Sequence, residues 1–337
     1  MHKIKVQGSY YEIGETIGKF LKKVNIPDFY PKFSKEKLEA SLEYLNPIKK
    51  YTPDLLEEFR GISDASGVEF ESIVTKEISP WRLQPQCLVM AIGSQHNSYE
   101  KPILARNHEW IEEESQYLTL CECKPDGKLE SFGFTFRGNE TSRYGGINQA
   151  GLAISSASAS FVDPGVGIII NLATRWILDN CKTVEEAVNF LEKIPKVWGE
   201  TYIIIDRNDV IAKVESHSKK TMTSRHDNEF AFNTLAFDSE EMQEYNQRAD
   251  DWVNSVLPPR KKFINDWYSS NKGNIDIDKI KNMLKNHDNR VCDHSTDGKL
   301  NYGICWSWVL TIGNNQALIS EGSPCKNEFK QIVYFNH

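Results

Sequence analysis

The chain has 337 residues, of which 39% are hydrophobic and 26% charged. These proportions are typical of a soluble globular protein and exclude a disordered or fibrous chain. The formal net charge of -7, with lysines and arginines spread along the chain, argues against a protein that binds nucleic acid.

The sequence contains no run of about 18 consecutive apolar residues, so no membrane helix is predicted. Its first residues, MHKIKVQGSYYEIGE, have neither an apolar core nor a small-residue cleavage site, and we therefore expect no export signal. The seven cysteines are odd in number and show no short repeated spacing. We expect reduced thiols in the cytoplasm rather than a disulfide framework.

Residues 1–86 are predicted to be mainly helical. The segments 11–21 and 53–67 space their apolar residues at helical intervals. The period then changes, because Cys87 opens the strand-like run Cys-Leu-Val-Met-Ala-Ile-Gly and a second run follows over 102–107. A further hairpin is predicted at 117–136, around the turn Pro-Asp-Gly-Lys, and a turn that enters another strand is predicted at 145–154.

The second half alternates helices and strands. Two helices are predicted within 168–194, the second capped by Thr183, and a hairpin follows at 202–215. A polar, helix-rich stretch covers 239–290, with Pro258-Pro259 expected to break it, and strands return at 304–312 and 317–320. This order predicts antiparallel sheet with helices packed outside it.

Cys87 is the candidate nucleophile. A cysteine at the start of a buried strand is by default a small core residue, since free cysteines are often buried and inert. Here, however, the next strand ends in Arg106-Asn-His-Glu109-Trp. Because adjacent strands of a hairpin place their side chains beside one another, we expect Arg106 and Glu109 to lie near Cys87.

Eight short motifs fall in the order of one known family. They are Gly8-Ser-Tyr-Tyr-Glu-Ile-Gly, Leu56-Glu-Glu-Phe-Arg-Gly-Ile, Cys87 followed by Ala105-Arg-Asn-His-Glu-Trp, Gly151-Leu-Ala, Arg175-Trp-Ile-Leu-Asp, Thr183-Val-Glu-Glu-Ala, Phe232-Asn-Thr and Gly322-Ser-Pro-Cys. Each is weak alone, but eight in register are specific. The chain thus resembles the family of acyl-coenzyme A:6-aminopenicillanate acyltransferase and, more distantly, penicillin V acylases and bile salt hydrolases.

The resemblance implies an α+β fold, the four-layer α-β-β-α sandwich of antiparallel sheets of N-terminal-nucleophile (Ntn) hydrolases. Residues 1–86 would be cut from the catalytic domain 87–337 between Gln86 and Cys87 and stay bound to it. The freed amine of Cys87 would then serve as base for its own thiol.

The resemblance also assigns roles to other residues. Arg106 holds the thiolate, Glu109 orients the freed amine, and Asn233 donates to the oxyanion. Ser158 falls where bile salt hydrolases carry a second oxyanion donor. His108 replaces an aromatic residue of the family, so we expect it to pack or to line the substrate site.

Several positions depart from the family pattern. Glu109 stands in place of aspartate, Gln86 of glycine, Leu88 of threonine and Ser158 of asparagine, and the later Cys-Arg-His element reads Cys292-Asp-His294. Two alternatives therefore stay open. The chain could be an inert relative that binds an acyl ligand. It could also be a papain-like protease with an internal Cys87 and with His226 or His294 as base.

No metal or other cofactor is expected. Cys121-Glu-Cys123 and Cys292-Asp-His294 each offer two ligands, but neither has a second pair at ligand spacing, so structural roles are favoured. The predicted activity is hydrolysis or transfer of the acyl group of a linear amide through a Cys87 thioester. The predicted partner is a small-molecule acyl-amide or acyl-thioester, without nucleic acid or membrane; the oligomeric state is left open.

Overall fold

Two β-sheets packed face to face form the centre of the molecule, and helices cover both outer faces. The structure, a computed structural model, describes residues 1–23, 32–78, 86–136, 138–160, 162–234, 236–246, 251–296 and 298–335. The arrangement is the four-layer α-β-β-α sandwich that the sequence predicted. None of the described helices has the length and apolar character that a membrane span requires.

The first sheet has eight strands in the described residues. In spatial order they are β1 (His2–Gly8), β4 (Leu118–Pro125), β5 (Ser131–Phe136), β6 (Gly145–Asn148), β7 (Ala153–Ser160), β8 (Gly199–Ile205), β9 (Ile211–Ser216) and β10 (Thr221–Arg225). All neighbours pair antiparallel except β1 and β4, which are parallel. The predicted hairpins at 117–136 and 202–215 are present, and the segment 145–154, predicted as a turn that enters a strand, forms β6 and the start of β7.

The second sheet contains Cys87. Its main order is β11 (Phe230–Thr234), β2 (Gln86–Ile92), β3 (Ile103–Ile111), β13 (Asn301–Thr311), β14 (Gln316–Glu321) and β15 (Lys330–Val333), with β12 (His294–Thr296) paired to β13. Every pairing in it is antiparallel. Strand β2 is therefore an interior strand, held by β11 on one side and β3 on the other.

The helices divide between the two outer layers. One layer contains α1 (Tyr10–Lys23), α2 (Lys35–Leu42), α3 (Leu45–Tyr51), α4 (Asp54–Ser66), α5 (Phe70–Ile78), α6 (Ile170–Asn180) and α7 (Val184–Lys193). The other contains α8 (Asp251–Asn271) and α9 (Ile277–Leu284). The hydroxyl of Thr183 accepts from the backbone N–H of Glu186 at 3.3 Å and so caps α7, as the sequence predicted.

Helix α8 differs from the sequence prediction, because it continues through Pro258 and Pro259. Proline removes a backbone donor, but its fixed φ is compatible with a helix, so tertiary contacts can hold such a segment together. Ile264 of α8 and Ile280, Met283 and Leu284 of α9 are buried against the second sheet. The polar, helix-rich stretch at 239–290, predicted as a helical insertion with a solvated face, therefore supplies the fourth layer of the sandwich.

Residues 1–86 are not purely helical, because their first strand, β1, completes the edge of the first sheet. Ile4 pairs with Cys121 and Val6 with Cys123 in a parallel register. The glycines of α1 allow a close approach to α4, since a Cβ at Gly14 would lie 2.1 Å from the carbonyl oxygen of Glu58. The N-terminal segment is thus part of both the sheet and its helical cover.

A buried ion-pair network joins the N-terminal segment to α6. The guanidinium of Arg175 donates to both carboxylate oxygens of Glu58 at 2.9 and 3.2 Å and to Asp179 at 2.8 Å. Tyr10 donates to Asp179 at 2.9 Å. The Arg175, Glu58 and Asp179 side chains are fully buried, so the loss of one partner would leave an uncompensated charge in the core.

We predict that Glu58→Ala lowers the free energy of unfolding by about 3–5 kcal/mol, the usual cost of breaking a buried ion pair. The matched control is Glu57→Ala on the same helix, whose half-exposed pair with Arg60 should contribute at most about 1 kcal/mol. Urea denaturation followed by tryptophan fluorescence measures both values. Equal losses in the two variants would contradict the structural role of the network.

Candidate active site

The pairing register of β2 and β3 determines which side chains face the interior between the sheets. Cys87 is opposite His108, and Val89 is opposite Arg106. Paired residues share a face and successive residues alternate, so these four side chains point the same way. Cys87 and Val89 belong to the core between the two sheets. The thiol, guanidinium and imidazole therefore meet inside the sandwich, as the hairpin predicted for Cys87 and Arg106.

Arg106 is fixed by several contacts inside this core. Its Nη2 lies 2.9 Å from the Cys87 sulfur, and its Nη1 donates to Ser155 Oγ at 3.0 Å and to the carbonyl oxygen of Tyr144. The guanidinium also lies over the Trp306 ring, 5.1 Å from its centre. No carboxylate is among its hydrogen-bond partners in the described residues, so the thiolate of Cys87 is the anion best placed to balance the charge.

The Cys87 thiol is fully buried in the intact chain. Burial raises the pKa of the Cys87 thiol, while the charge and hydrogen bond of Arg106 act in the opposite direction. Desolvation is the larger effect, so the sealed thiol stays protonated more readily than an exposed one. Arg106 would become the stronger influence once substrate or water relieves that desolvation.

His108 lies beside Cys87 as a neutral imidazole. Its Nδ1 is 2.8 Å from Arg106 Nη2 and 3.6 Å from the Cys87 sulfur. A guanidinium can only donate, so Nδ1 accepts and the ring proton is on Nε2. Burial, and then the charge of Arg106, hold the pKa of His108 well below 6.5. The ring stacks on Trp306 with centroids 4.9 Å apart.

Glu109 follows His108 on β3, and its side chain therefore points to the opposite face of the sheet. There Oε2 accepts from both terminal nitrogens of Arg260 at 3.2 Å. Burial raises the pKa of Glu109 to about 7, although Arg260 acts to lower it. Its backbone is paired with Gln86, the residue that precedes the candidate nucleophile, and Oε1 has no hydrogen-bond partner among the described residues.

Asn233 lies on β11, directly opposite Val89 and diagonal to Cys87. Diagonal neighbours in a sheet are separated by about 7–8 Å, which leaves room for a carbonyl group between the two side chains. The residue is fully buried, and neither Nδ2 nor Oδ1 has a hydrogen-bond partner in the described part of the chain. Buried amides are normally hydrogen-bonded, so the Asn233 side chain has hydrogen-bonding capacity that no described residue uses.

Ser158 is not brought together with Cys87, which corrects the expectation of an oxyanion donor there. Ser158 is paired with Glu200 on β8, and paired residues share a face. The carboxylate of Glu200 accepts from Tyr202, which belongs to the core on the helix-covered face of the first sheet. Ser158 therefore lies on the helix-covered face. The serine that enters the site is instead Ser155, through its contact with Arg106. The two positions differ by an odd number of residues, and alternation along a strand places them on opposite faces.

The other histidine candidates have different partners. His226 contacts Ser224 Oγ at 2.9 Å, and His294 contacts Glu112 at 2.7 Å. Cys121 and Cys123 are buried and accept from Arg143 at 2.9 Å and Arg175 at 3.2 Å. These two thiols therefore have the structural surroundings that the sequence favoured for them.

Arg260 is the site residue that sequence reasoning missed. In the sequence it is the first of three basic residues after two prolines, a pattern that indicates an exposed helix face. In the structure its side chain is fully buried, and Nε donates to the carbonyl oxygen of Arg290 at 2.7 Å. Arg260 therefore supplies the arginine that contacts Glu109, and no sequence motif had indicated an arginine there.

A four-layer sandwich with a cysteine–arginine pair between its antiparallel sheets belongs to the Ntn-hydrolase fold class. The family model for acyl-coenzyme A:6-aminopenicillanic acid acyl-transferase matches residues 96–303, more than half of the chain. The chain therefore belongs to this family. Membership indicates an Ntn-type amidohydrolase or acyltransferase. The matched range begins after Cys87, so the role of that residue depends on geometry.

Several solved structures are similar to the chain. The N-acylethanolamine-hydrolyzing acid amidase ortholog of Caenorhabditis elegans is 15% identical, with a TM-score of 0.45, over 67% of this chain and 92% of that one. A variant of conjugated bile acid hydrolase from Clostridium perfringens is 13% identical, with a TM-score of 0.49, over 74% of this chain and 99% of that one. Penicillin V acylase from Agrobacterium tumefaciens is 16% identical, with a TM-score of 0.46, over 74% of this chain and 86% of that one. These similarities are too weak to indicate a substrate. A search of curated proteins found no match.

Proposed function

We propose that this protein is a cysteine amidohydrolase or acyltransferase that acts on small linear acyl-amides through a thioester on Cys87, after cleaving itself between Gln86 and Cys87. The observation that carries the proposal is the contact between the buried Cys87 sulfur and Arg106, 2.9 Å apart, with the unsatisfied amide of Asn233 on the same face. A nucleophile, a fixed cation and a free donor are the parts that acyl transfer needs.

Burial of the thiol fits self-cleavage better than attack on an external substrate in the intact chain. The Cys87 sulfur is sealed from solvent, but the carbonyl of Gln86 belongs to the adjacent peptide bond. Attack of the sulfur on that carbonyl forms a thioester and releases the Cys87 amine, which takes up a proton. Water then hydrolyses the thioester, leaving a carboxylate on Gln86 and a free thiol on Cys87.

The freed α-amine would act as general base in the mature enzyme. Such amines have a pKa of about 8, so near neutrality a useful fraction is unprotonated and can accept the thiol proton. The new amine forms beside Glu109, because Gln86 and Glu109 are paired across β2 and β3. The unpartnered Oε1 of Glu109 is available to orient it, while Oε2 stays with Arg260.

Asn233 would stabilise the oxyanion that forms when the Cys87 sulfur attacks an acyl-amide. Its Nδ2 would donate to the developing negative oxygen, which satisfies an atom that has no hydrogen-bond partner among the described residues. Collapse of the tetrahedral intermediate expels the amine and leaves an acyl thioester. Water completes a hydrolysis and a second amine completes an acyl transfer, so the two activities share one site.

The two fragments of the cut chain would stay associated. Strand β1 pairs with β4, and Glu58 pairs with Arg175, so residues on both sides of the cut share a sheet and a buried ion-pair network. We expect the two fragments to be held together by these noncovalent contacts. Cutting would change the surroundings of Cys87 without separating the segment 1–86 from the sandwich.

A Cys/His protease with an internal Cys87 is less consistent with the geometry. The histidine beside the sulfur, His108, uses its Nδ1 lone pair to accept from Arg106 and has a strongly lowered pKa. His108 would therefore be a poor base.

The second alternative is an inert relative that binds an acyl ligand. This alternative predicts that Cys87 never forms an adduct. Reaction with a β-lactone probe, followed by intact mass spectrometry, distinguishes such a protein from an enzyme.

The first prediction concerns self-cleavage. We expect freshly purified protein to give two masses, residues 1–86 and 87–337, that elute together from a sizing column without denaturant. Cys87→Ala should accumulate the uncut chain, and Cys87→Ser should cut slowly because a hydroxyl is the weaker nucleophile. Cys181→Ala is the matched control for a buried thiol elsewhere and should cut normally. A single full-length mass in active protein would refute the proposal.

The second prediction concerns the oxyanion donor. Asn233→Ala should lower kcat for acyl-amide hydrolysis by about 10²–10³, the usual effect of removing one such donor. Ser158→Ala is the control, because Ser158 lies on the opposite face of the other sheet and should leave kcat nearly unchanged. Turnover is measured by mass spectrometry on a panel of acyl-amides, with melting temperature recorded for each variant. Near-normal turnover in a stable Asn233→Ala protein rules out this role.

The third prediction concerns the pH dependence of the mature enzyme. Glu109→Gln keeps the shape but removes the negative charge beside the α-ammonium, which lowers the pKa of the amine because its charged form loses a partner. The acidic limb of the pH–rate profile should therefore move to lower pH, with a lower plateau. Glu200→Gln removes a buried carboxyl on the other sheet and should leave the limb in place. An unshifted limb in Glu109→Gln would exclude the orienting role.

A further inference from the structure

Four potential metal ligands converge at one end of the second sheet. They are His287, Cys292, His294 and Cys325, and their ligand atoms all lie within 4.8 Å of one another. Nε2 of His294 is 3.4 Å from the Cys325 sulfur and 4.0 Å from the Cys292 sulfur. The rings of the two histidines have centroids 5.3 Å apart. The cluster therefore combines two thiols and two imidazoles around one point.

We propose that these four side chains bind one zinc ion. Two cysteines and two histidines in tetrahedral geometry are a common structural zinc set. Zinc–sulfur and zinc–nitrogen bonds of about 2.3 and 2.0 Å imply ligand–ligand separations of about 3.3–3.8 Å. The 3.4 Å distance from His294 to Cys325 lies within this range and the 4.0 Å distance to Cys292 is slightly longer, so small side-chain adjustments would complete the site. Binding replaces the two thiol protons, which are released to solvent.

A carboxylate outside the cluster supports the assignment. Nδ1 of His294 lies 2.7 Å from Oε1 of Glu112, at the end of β3. A carboxylate bound to one ring nitrogen holds the proton there, so Nε2 is left with its lone pair directed at the two sulfurs. Metal-bound histidines usually have such a partner, and here the partner is present on a separate segment of the chain.

The zinc would stabilise a backbone segment that contacts the outer face of β3, next to the candidate active site. The carbonyls of Leu284 and Val291 each accept from Asn107 at 3.0 Å, and the carbonyl of Arg290 accepts from Arg260 at 2.7 Å. These contacts position the segment around α9 and β12 against β3. Ligation of Cys292 and Cys325 would tie that segment to the turn after β14 and so fix it from both ends.

The sequence did not indicate this site, because its ligands are not arranged in two short pairs. His287 precedes Cys292-Asp-His294 by a few residues, but Cys325 follows His294 only after β13 and β14 and joins the other three ligands through the fold. The same geometry would also allow Cys292 and Cys325 to form a disulfide, in which case two thiols would lose two electrons to an oxidant and could no longer bind zinc as thiolates.

The test uses the full-length protein purified in the presence of zinc sulfate. We expect elemental mass spectrometry to find about one zinc per chain in the wild type and in Cys181→Ala, and nearly none in the double variant Cys292→Ser/Cys325→Ser. A strong chelator should lower the melting temperature of the wild type. It should leave that of the double variant unchanged.

A second measurement needs no variant, which matters if the double variant does not fold. Zinc should protect Cys325, which is partly exposed, from alkylation by N-ethylmaleimide, and the chelator should restore its reactivity. Substitution by cobalt should give a tetrahedral spectrum with thiolate charge-transfer bands. An intact mass two hydrogens lower that shifts on reduction would show a disulfide and overturn the proposal. Zinc-free wild type with reduced cysteines, or alkylation insensitive to zinc, would also overturn it.

Discussion

The register between β2 and β3 is the constraint on which the candidate site depends. It places Cys87 and Arg106 on the inner face and Glu109 on the outer face of the same sheet. A shift of β3 by one residue would turn Arg106 to the outer face and Glu109 to the inner face, on the side of Cys87. The pairing is protected from such a shift because β2 and β3 are interior strands whose inner faces pack against the first sheet.

This division gives the two charges of the site separate environments. Arg106 faces the aromatic core between the sheets, where Trp306 and Tyr144 surround it. Glu109 faces the helices, where Arg260 neutralises it. If the two side chains shared a face, they would pair with each other, and neither would be available for the thiol or the amine. The strand itself thus keeps a cation and an anion near one residue without letting them neutralise each other.

The sequence predicted most of the fold because its periodic patterns are local. The strand hairpins and the Thr183 cap depend on neighbouring residues, and both are present. The strand β1 was missed although Ile4 and Val6 alternate, because its partner β4 is distant in sequence and the pairing is parallel. The two prolines of α8 were taken as a break, because their compensating contacts come from other segments.

Site residues were likewise predictable only where neighbouring segments determine their contacts. Cys87 and Arg106 could be brought together from a single hairpin, but the same hairpin did not show that the Glu109 side chain points to the opposite face. Ser158 was placed wrongly, because only the observed register shows which face of β7 enters the site, and that strand carries an irregularity between Ser158 and Ser160. Arg260 reaches Glu109 from a helix that no local pattern connects to β3. Contacts between remote segments are fixed by tertiary packing, which a single sequence does not reveal.

The position of β11 has a consequence for the order of events during synthesis. Cys87 and Arg106 leave the ribosome close together, but β11 pairs with β2 only after both sheets' intervening strands have been made. Until then β2 is an open edge and Asn233 is absent from the site. Pairing of such distant segments is slow to form. The candidate site around the thiol is therefore completed late, when most of the chain is already available to fold around it.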